Sequence, residues 1–221
     1  MRKYKQEPYT VPPWIYNAIQ VLRPVERLTV SEWAAKYRVL PDGNAIPGPW
    51  SNSVTPYLVE IMDAFSDDMV EEIVFVKPTQ VGGTSAMENA LGSLIAQDPA
   101  PTMIVYPSDD LAKRTVESKL EPMIKSCTAL AKKYRENESE KLALKFADMT
   151  AWLTGANSPA DLASTNIRNL FLDEVDKFPA ASKKEADPVS HKTFHLFPLA
   201  DRTAERGERL VRRGGQIVQG I

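Results

Sequence analysis

Short apolar runs that alternate with helical patterns constrain the fold of this chain more than any other feature of its sequence. Three runs have the length and composition of strands: residues 72–76 (EIVFV), 102–106 (TMIVY) and 169–172 (NLFL). The first two lead into segments with helical character, residues 84–96 and about 109–125. We expect the first run to be a buried strand. Strands that alternate with helices predict an α/β fold with a mainly parallel sheet.

The segments around these runs add further elements. A helix is predicted over residues 30–37, with Ser31 as its cap. A second is predicted over residues 57–65, with Thr55 as N-cap and Pro56 at the first helical position. The remaining predictions are a loop over residues 41–50, a hairpin formed by 142–146 and 150–153, and a capped helix start at 158–161.

Composition narrows the class of protein. A length of 221 residues suits one domain of ordinary size. The 27 Lys and Arg residues nearly cancel the 29 Asp and Glu residues, so no global basic field indicates nucleic acid, although basic residues on one face still allow DNA contact. The single cysteine, Cys127, excludes an internal disulfide and a cysteine-rich metal site. No signal peptide or membrane-length apolar stretch is apparent, which predicts a soluble cytoplasmic protein.

The turn after the first strand has the pattern of a phosphate-binding loop. It reads KPTQVGGTS over residues 77–85 and continues into the next helix. Gly82 matches the second glycine of the pattern G-x-x-x-x-G-K-[ST], and Thr84 matches its hydroxyl residue. Lys77 replaces the first glycine, and Gly83 replaces the usual lysine. The match is therefore partial.

Phosphate binding needs backbone N–H groups that converge at a helix N-terminus, a hydroxyl for Mg²⁺ and a cation near the phosphates. The two glycines let the backbone approach closely, and Lys77 is long enough to fold back across the loop, so the cation is relocated. Taken alone, the loop also fits a turn whose glycines only serve packing. The predicted nucleotide-binding residues are Lys77, Gln80, Gly82, Gly83, Thr84 and Ser85.

The strand predicted at residues 169–172 ends in an acidic pair, Asp173 and Glu174. In nucleotide hydrolases one carboxylate in this position holds hydrated Mg²⁺ and the next polarises the attacking water. An acidic pair after a strand is common by itself. Because it follows the loop in the expected order on a strand-helix-strand pattern, a nucleotide site with Mg²⁺ is favoured over a packing turn.

Several ordered segments resemble one protein family over about residues 27–190. They are LTVSEWAAKYRVL, GPW followed by TPYLVEIMDA, VKPTQVGGTS, IVYPSDD, LTGANSPADLAS and FLDEVDKFP. Together they resemble the ATPase domain of the large terminase subunit of tailed phages, the group typified by the phage lambda packaging enzyme. In that family the lysine can lie at the start of the loop, as Lys77 does. Residues 155–158 also resemble a family segment, to which we assign no role.

The resemblance implies an ATP-driven motor that moves double-stranded DNA into an empty capsid. The implied partners are DNA, the portal protein of the capsid, a small terminase subunit and further copies of the chain, in the cytoplasm of a bacterial host. The implied fold is a P-loop NTPase-like three-layer sandwich over residues 30–190, after an N-terminal arm over 1–29. The resemblance implies that Thr84 and Asp173 are metal ligands. It also implies two catalytic residues, Lys77 and Glu174, of which Glu174 activates water.

The chain departs from the family at two places. Many members have a lysine where Gly83 stands. After residues 187–190 the chain becomes an Arg/Gly-rich tail, 191–221, without a periodic apolar pattern, whereas family members continue into a further strand and a nuclease domain. These departures predict a C-terminally truncated prophage copy. They also support a rival hypothesis, a non-catalytic remnant or interaction module that binds nucleotide weakly or not at all.

Other motifs have simpler explanations. His191 and His195 have the spacing of two zinc ligands on one helix face, but no third ligand stands nearby in the sequence. Trp50 and Tyr57 have the chemistry of an adenine pocket, yet we expect both to be core residues.

Overall fold

The computed structural model describes residues 12, 14–15, 27–78, 80–157, 166–179 and 216–219 of the chain. The named α-helices are α1 (Val30–Tyr37), α2 (Leu58–Ala64), α3 (Gly83–Gln97), α4 (Asp109–Thr115), α5 (Glu121–Ser126) and α6 (Thr128–Ala131). A π-helical turn covers Val116–Leu120, and 3-10 turns cover Glu136–Glu138 and Val175–Lys177. The strands are β1 (Val39–Leu40), β2 (Gly48–Pro49), β3 (Glu72–Phe75), β4 (Thr102–Tyr106), β5 (Ala143–Lys145), β6 (Thr150–Gly155), β7 (Asn169–Leu172) and β8 (Gln216–Gln219).

Four strands form a mixed sheet in the order β5-β6-β4-β7. The central strand, β4, runs parallel to β6 on one side and to β7 on the other. β5 pairs antiparallel with β6, and the turn between them is closed by a hydrogen bond from Phe146 N–H to the carbonyl of Met149 (2.8 Å). The predicted α/β class is therefore confirmed, as are the strands at 102–106 and 169–172 and the hairpin.

The strand before the phosphate loop is not hydrogen-bonded to this sheet in the described ranges. β3 pairs in parallel with β8, from Glu72 opposite Gln216 to Phe75 opposite Gln219. Its residues alternate between exposed and half-buried, and Val76 just beyond its end is 58% exposed. The prediction of a buried first strand is wrong, because apolar composition does not supply the neighbouring elements that burial requires. β8 lies within the predicted tail, 191–221.

Two hydrophobic clusters cover the two faces of the sheet. Ile104 and Tyr106 of β4 belong to the larger cluster, and Val105 between them belongs to the smaller, because successive strand residues point to opposite faces. Helix α3 packs in the larger cluster. There α1 approaches α3 so closely that a Cβ at Gly92 would lie within 3.0 Å of the ring of Trp33. This packing holds α3, whose first turn begins the candidate site.

Helix boundaries match the predictions more closely than helix caps do. α1 has the predicted range, but its N-cap is Thr29, which forms a capping box with Glu32, and Ser31 lies inside the helix. α2 begins at Leu58, one residue later than predicted. Thr55 is not its N-cap, and the Thr55 hydroxyl is buried without a partner in the parts of the chain that the structure describes.

The single helix predicted over about residues 109–125 is divided into α4, the π-helical turn and α5. Pro122 has no N–H, and a proline ring in a helix crowds the carbonyl four residues earlier, here that of Ser118. The regular hydrogen-bond pattern is interrupted at the proline, and the wider π-helical turn lies directly before α5, which contains it.

Several predictions fall outside the described residues. They include the capped helix start at 158–161, the pair His191 and His195, and most of the arm and tail. The division into residues 1–29, 30–190 and 191–221 therefore stays a prediction. Among the helices in the described ranges, none has the length and apolar character needed to cross a membrane.

Candidate nucleotide site

Thr84 and Asp173 meet at the edge of the sheet where the parallel strands end. Asp173 follows β7 directly, and its N–H donates to the carbonyl of Val105 in β4 (3.0 Å). Thr84 lies in the first turn of α3, and its Oγ1 donates to Asp173 Oδ2 (3.2 Å). Asp173 is only 8% exposed. The fold thus brings a hydroxyl and a carboxylate that are distant in the sequence into direct contact.

The loop before α3 takes its shape from two residues in the left-handed conformation, Gln80 (φ 64°) and Gly82 (φ 79°). Gly82 is the N-cap of α3, and a Cβ there would lie 3.1 Å from the side chain of Leu58. A positive φ at the non-glycine residue Gln80 costs energy and persists only where surrounding structure imposes it. Tyr57 supports the loop, since its hydroxyl donates to the carbonyl of Val81 (3.1 Å). The first turn of α3 leaves N–H groups without intrahelical partners here, which suits a phosphate.

The side chain of Lys77 folds back over the helix start. A Cβ built on Gly83 would lie within 3.0 Å of both Cδ and Cε of Lys77, and 3.2 Å from its Nζ. The lysine stem therefore fills the volume that a side chain at residue 83 would need. Lysine at the start of the loop and glycine at its end are sterically matched, and the ammonium group lies beside the N-terminus of α3.

Glu174 lies next to Asp173 but is turned toward a different partner. Its backbone is left-handed (φ 56°), and its carboxylate pairs with Nζ of Lys177 at 3.0 Å. The hydrogen bond from Lys177 to Glu174 raises the pKa of Lys177. Both side chains are substantially exposed, and exposed ion pairs contribute little to stability, so Glu174 can leave this partner at small cost. Within the described contacts, Glu174 pairs with Lys177 rather than with the loop.

A buried ion pair that the sequence analysis missed lies one helical turn behind Thr84. Glu88 of α3 accepts a hydrogen bond from Nη2 of Arg38 (2.7 Å), and Nε of Arg38 donates to Oδ1 of Asn89 (3.2 Å). Burial raises the pKa of Glu88, although the charge of Arg38 opposes this, and burial lowers the pKa of Arg38. The sequence feature that could have indicated this ion pair is Glu88 itself, because it is a charged residue within a predicted helix rich in apolar residues.

The end of β6 is attached to the start of α4. The N–H of Gly155 donates to Oδ1 of Asp109 (2.6 Å), and a Cβ on Gly155 would lie within 3.0 Å of the backbone of Ser108 and Asp109. Only glycine allows this approach. Gly155, the first residue of the segment 155–158, is therefore explained by close backbone packing.

Three further candidates have distinct surroundings. Trp50 is a core residue, as predicted, and its Nε1 donates to Asn52 (2.8 Å). Tyr57 is 42% exposed and supports the loop, so the prediction of a core position is wrong for it. Ser85 follows Thr84 in α3 and is half-buried.

The groups at this edge suit Mg²⁺. The Thr84 hydroxyl and the Asp173 carboxylate are hard oxygen ligands, and Mg²⁺ usually takes only one or two protein ligands beside phosphate oxygens and water. The described residues contain no group of three or more His, Cys, Asp or Glu that would form a closed metal site. The hydroxyl of Tyr106 is buried and has no hydrogen-bond partner in the described ranges, which leaves one polar group unused near the site.

The candidate loop lies between a strand and a helix, beside an acidic residue at the end of a parallel strand. This arrangement and the α/β fold are compatible with a P-loop-like ATPase domain. The family itself follows from comparison with known proteins. Residues 44–192 match the family model of the phage terminase large subunit gpA, ATPase domain, and the chain belongs to this family. The family resemblance of its sequence motifs is thereby confirmed.

Two curated relatives carry the name terminase, large subunit. The chain is 25% identical to that of Enterobacteria phage P21 over 172 residues, which cover 73% of this chain and 26% of the relative. It is 28% identical to that of Escherichia phage lambda over 174 residues, which cover 74% of this chain and 26% of the relative. The matched region thus spans about a quarter of the length of both relatives.

Proposed function

We propose that this chain binds ATP with Mg²⁺ and hydrolyses it as the ATPase core of a phage DNA-packaging motor. The hydrogen bond between Thr84 and Asp173 carries the proposal, because it joins the phosphate loop to the acidic strand end within the region that matches the family. A turn that served only packing would not need a buried carboxylate beside its hydroxyl.

Each loop residue has a distinct part in this proposal. Lys77 places its ammonium charge against the β- and γ-phosphates, and the backbone at Gly82 and Gly83 approaches the phosphates closely. Gln80 and Ser85 lie on either side of these two glycines, and we include both in the proposed phosphate site. The stem of Lys77 occupies the volume that a side chain at residue 83 would fill. Lys77 therefore supplies the positive charge of the loop, although glycine stands at the usual lysine position.

Thr84 and Asp173 would hold Mg²⁺, which offsets phosphate charge when bound. Glu174 leaves Lys177 and accepts a proton from the water that attacks the terminal phosphate. Its neighbour Asp173 stays in place through the backbone hydrogen bond to β4. In this proposal Asp173 holds the metal and Glu174 activates water.

The finer fold is part of the proposal. β7 is the last strand of the four-stranded sheet, and β3 carries β8 as its partner. Thr84, which follows β3 in the chain, is hydrogen-bonded to Asp173, which follows β7, and this contact supports a single sheet. We infer that β8 lies between β3 and β7 and completes one sheet with helices on both faces, the three-layer arrangement of P-loop ATPases.

The wider role follows from the relatives named terminase, large subunit. In this proposal the motor acts on double-stranded DNA in the host cytoplasm, together with a portal protein, a small terminase subunit and further copies of the chain. The relatives are about four times as long as the matched region, so these partners are proposed for the whole protein.

The test is Mg²⁺-dependent ATP binding and hydrolysis by the purified chain. Lys77→Ala should lose nucleotide binding and turnover, because no second lysine stands in the loop. Glu174→Gln should still bind ATP but turn it over at least about 100-fold more slowly, the usual loss of a general base. Lys141→Ala and Glu138→Gln change exposed residues of the same types away from the site and should match the wild type.

The outcomes separate the two functional classes. Loss of turnover in both site variants supports a working ATPase core. Binding without any turnover by the wild-type chain would favour the rival hypothesis of a nucleotide-binding module. Unchanged turnover in Lys77→Ala would eliminate the relocated lysine, and absence of binding by the wild type would eliminate the nucleotide site.

A further inference from the structure

Tyr106 is the last residue of β4, and its hydroxyl has no explained role in the fold. The side chain is 2% exposed, and its oxygen finds no hydrogen-bond partner among the described residues. An unsatisfied buried hydroxyl destabilises a protein, so such groups are rare and point to a function or to an absent partner. Phenylalanine would fill the same volume without this cost.

The sheet places Tyr106 beside Asp173. In the register of the two strands, Val105 of β4 lies opposite Leu172 of β7, so Tyr106 and Asp173 are the next residues along each strand. Tyr106 packs in the same hydrophobic cluster as Phe171, and Asp173 follows Phe171 by two residues, which is the same face of a strand. Adjacent strands lie about 4.8 Å apart, so the two side chains leave the sheet as neighbours.

The electrostatics agree with this placement. After burial, the largest influences that raise the pKa of Tyr106 are the negative charges of Asp173 and Glu88. The phenol therefore lies within the field of both carboxylates and remains protonated at neutral pH. A protonated phenol is a hydrogen-bond donor, and a carboxylate has about four acceptor positions, of which Thr84 uses one on Asp173.

We propose that Tyr106 is a positioning residue that donates a hydrogen bond from its hydroxyl to the Asp173 carboxylate when the site is loaded with Mg²⁺ and ATP. This inference rests on the proposed function. Carboxylates that hold a metal are themselves oriented by hydrogen bonds from surrounding groups, and removal of such a group lowers metal affinity by about 10- to 100-fold. Tyr106 is buried and acts through Asp173 rather than on the nucleotide.

The test is the affinity of the nucleotide-loaded chain for Mn²⁺, measured by electron paramagnetic resonance, with Mg²⁺ as competitor. Tyr106→Phe should weaken metal binding at least about 10-fold. Nucleotide binding without metal should stay at the wild-type level, and the thermal midpoint of the free chain should stay the same or rise, because an unsatisfied hydroxyl is removed. Tyr134→Phe is the matched control, since Tyr134 is a partly buried tyrosine that packs against Phe146 away from the site, and it should leave metal affinity unchanged.

Each other outcome overturns the inference. Wild-type metal affinity in Tyr106→Phe, with nucleotide binding intact, would show that the hydroxyl does not orient Asp173 and would leave the proposed function standing. A marked fall in the midpoint of the free Tyr106→Phe chain would show that the hydroxyl already has a structural partner. If the wild-type chain binds no nucleotide with metal, the proposed function fails first and this inference fails with it.

Discussion

Gly83 and Lys77, at opposite ends of a loop, share one volume of the structure. The usual phosphate loop carries its lysine next to the hydroxyl residue, where this chain has glycine. That glycine leaves open the volume through which the Lys77 stem passes. In the proposed nucleotide site, a change at residue 83 would therefore act on phosphate binding through a side chain that begins six positions earlier.

Gly83→Ala is the corresponding prediction. Gly83 has no positive φ and begins a helix, so alanine should leave the fold unchanged or stabilise it by up to about 1 kcal/mol. The new Cβ displaces the flexible Lys77 side chain, and we expect ATP affinity to fall at least about 10-fold, in the same direction as Lys77→Ala. Urea denaturation and nucleotide titration measure the two effects. Equal ATP affinity in Gly83→Ala and the wild type would show that the Lys77 stem does not need this volume.

Helix α3 links the site to the rest of the molecule at the scale of secondary-structure elements. Its first turn carries Thr84, its second carries Glu88 in the ion pair with Arg38, and Gly92 receives Trp33 of α1. Arg38 is the C-cap residue of α1, so the ion pair and the glycine contact both join α1 to α3. The rotation of α3 that points Thr84 at Asp173 is thus set by contacts along its whole length.

The Arg38–Glu88 pair leads to a prediction about pH. A carboxyl whose pKa is raised on folding stabilises the fold most below its unfolded value, here about 4.5, and this contribution is lost as the pH rises through the folded pKa. The free energy of unfolding of the wild type minus that of Glu88→Gln should therefore be largest near pH 4.5 and should shrink toward neutral pH. Urea denaturation of both chains across this range measures it, with the exposed Glu138→Gln as control.

The opposite slope would be informative. A difference that grows with pH would mean that attraction to Arg38 outweighs the burial of the Glu88 carboxylate. Arg38→Met would then be expected to destabilise the fold more at neutral than at acid pH.

Across the whole molecule the strands differ in burial, from the fully buried β4 to the partly exposed β3. Every residue of β4 is buried, and the strand is paired on both sides. β3 alternates between exposed and half-buried residues and has one partner among the described strands. The candidate site therefore combines two strand ends. Asp173, after β7, is hydrogen-bonded to the buried β4, whereas the candidate loop follows the partly exposed β3.

Hydrogen exchange tests this division. Amides of β4 should exchange only through global unfolding, whereas those of β3 should exchange through local opening and at least about 10-fold faster. Mg²⁺ with ATP should slow exchange in residues 72–85 much more than in β5, because ligand binding stabilises the loop and the strand before it. Equal protection of β3 and β4 in the absence of nucleotide would contradict the division.

Sequence patterns located most elements among the described residues, including β4, β7, the hairpin of β5 and β6, and the range of α1. They were less reliable for caps, because several polar residues compete at a helix start: the N-cap of α1 is Thr29 rather than Ser31. They also gave the wrong burial for β3. An apolar run shows what a strand is made of, whereas burial depends on the elements that pack beside it.

By itself, the sequence determined the local elements, the phosphate loop and the acidic pair at a strand end, because periodicity and turn chemistry act over a few neighbouring residues. Only the tertiary structure decided that Thr84 touches Asp173, that the Lys77 stem lies over Gly83, and that Glu88 is paired with Arg38. The same holds for the buried hydroxyl of Tyr106, which has no hydrogen-bond partner among the residues that the structure describes. Except at the loop, these contacts join residues far apart in the chain, and strand order and helix packing bring them together.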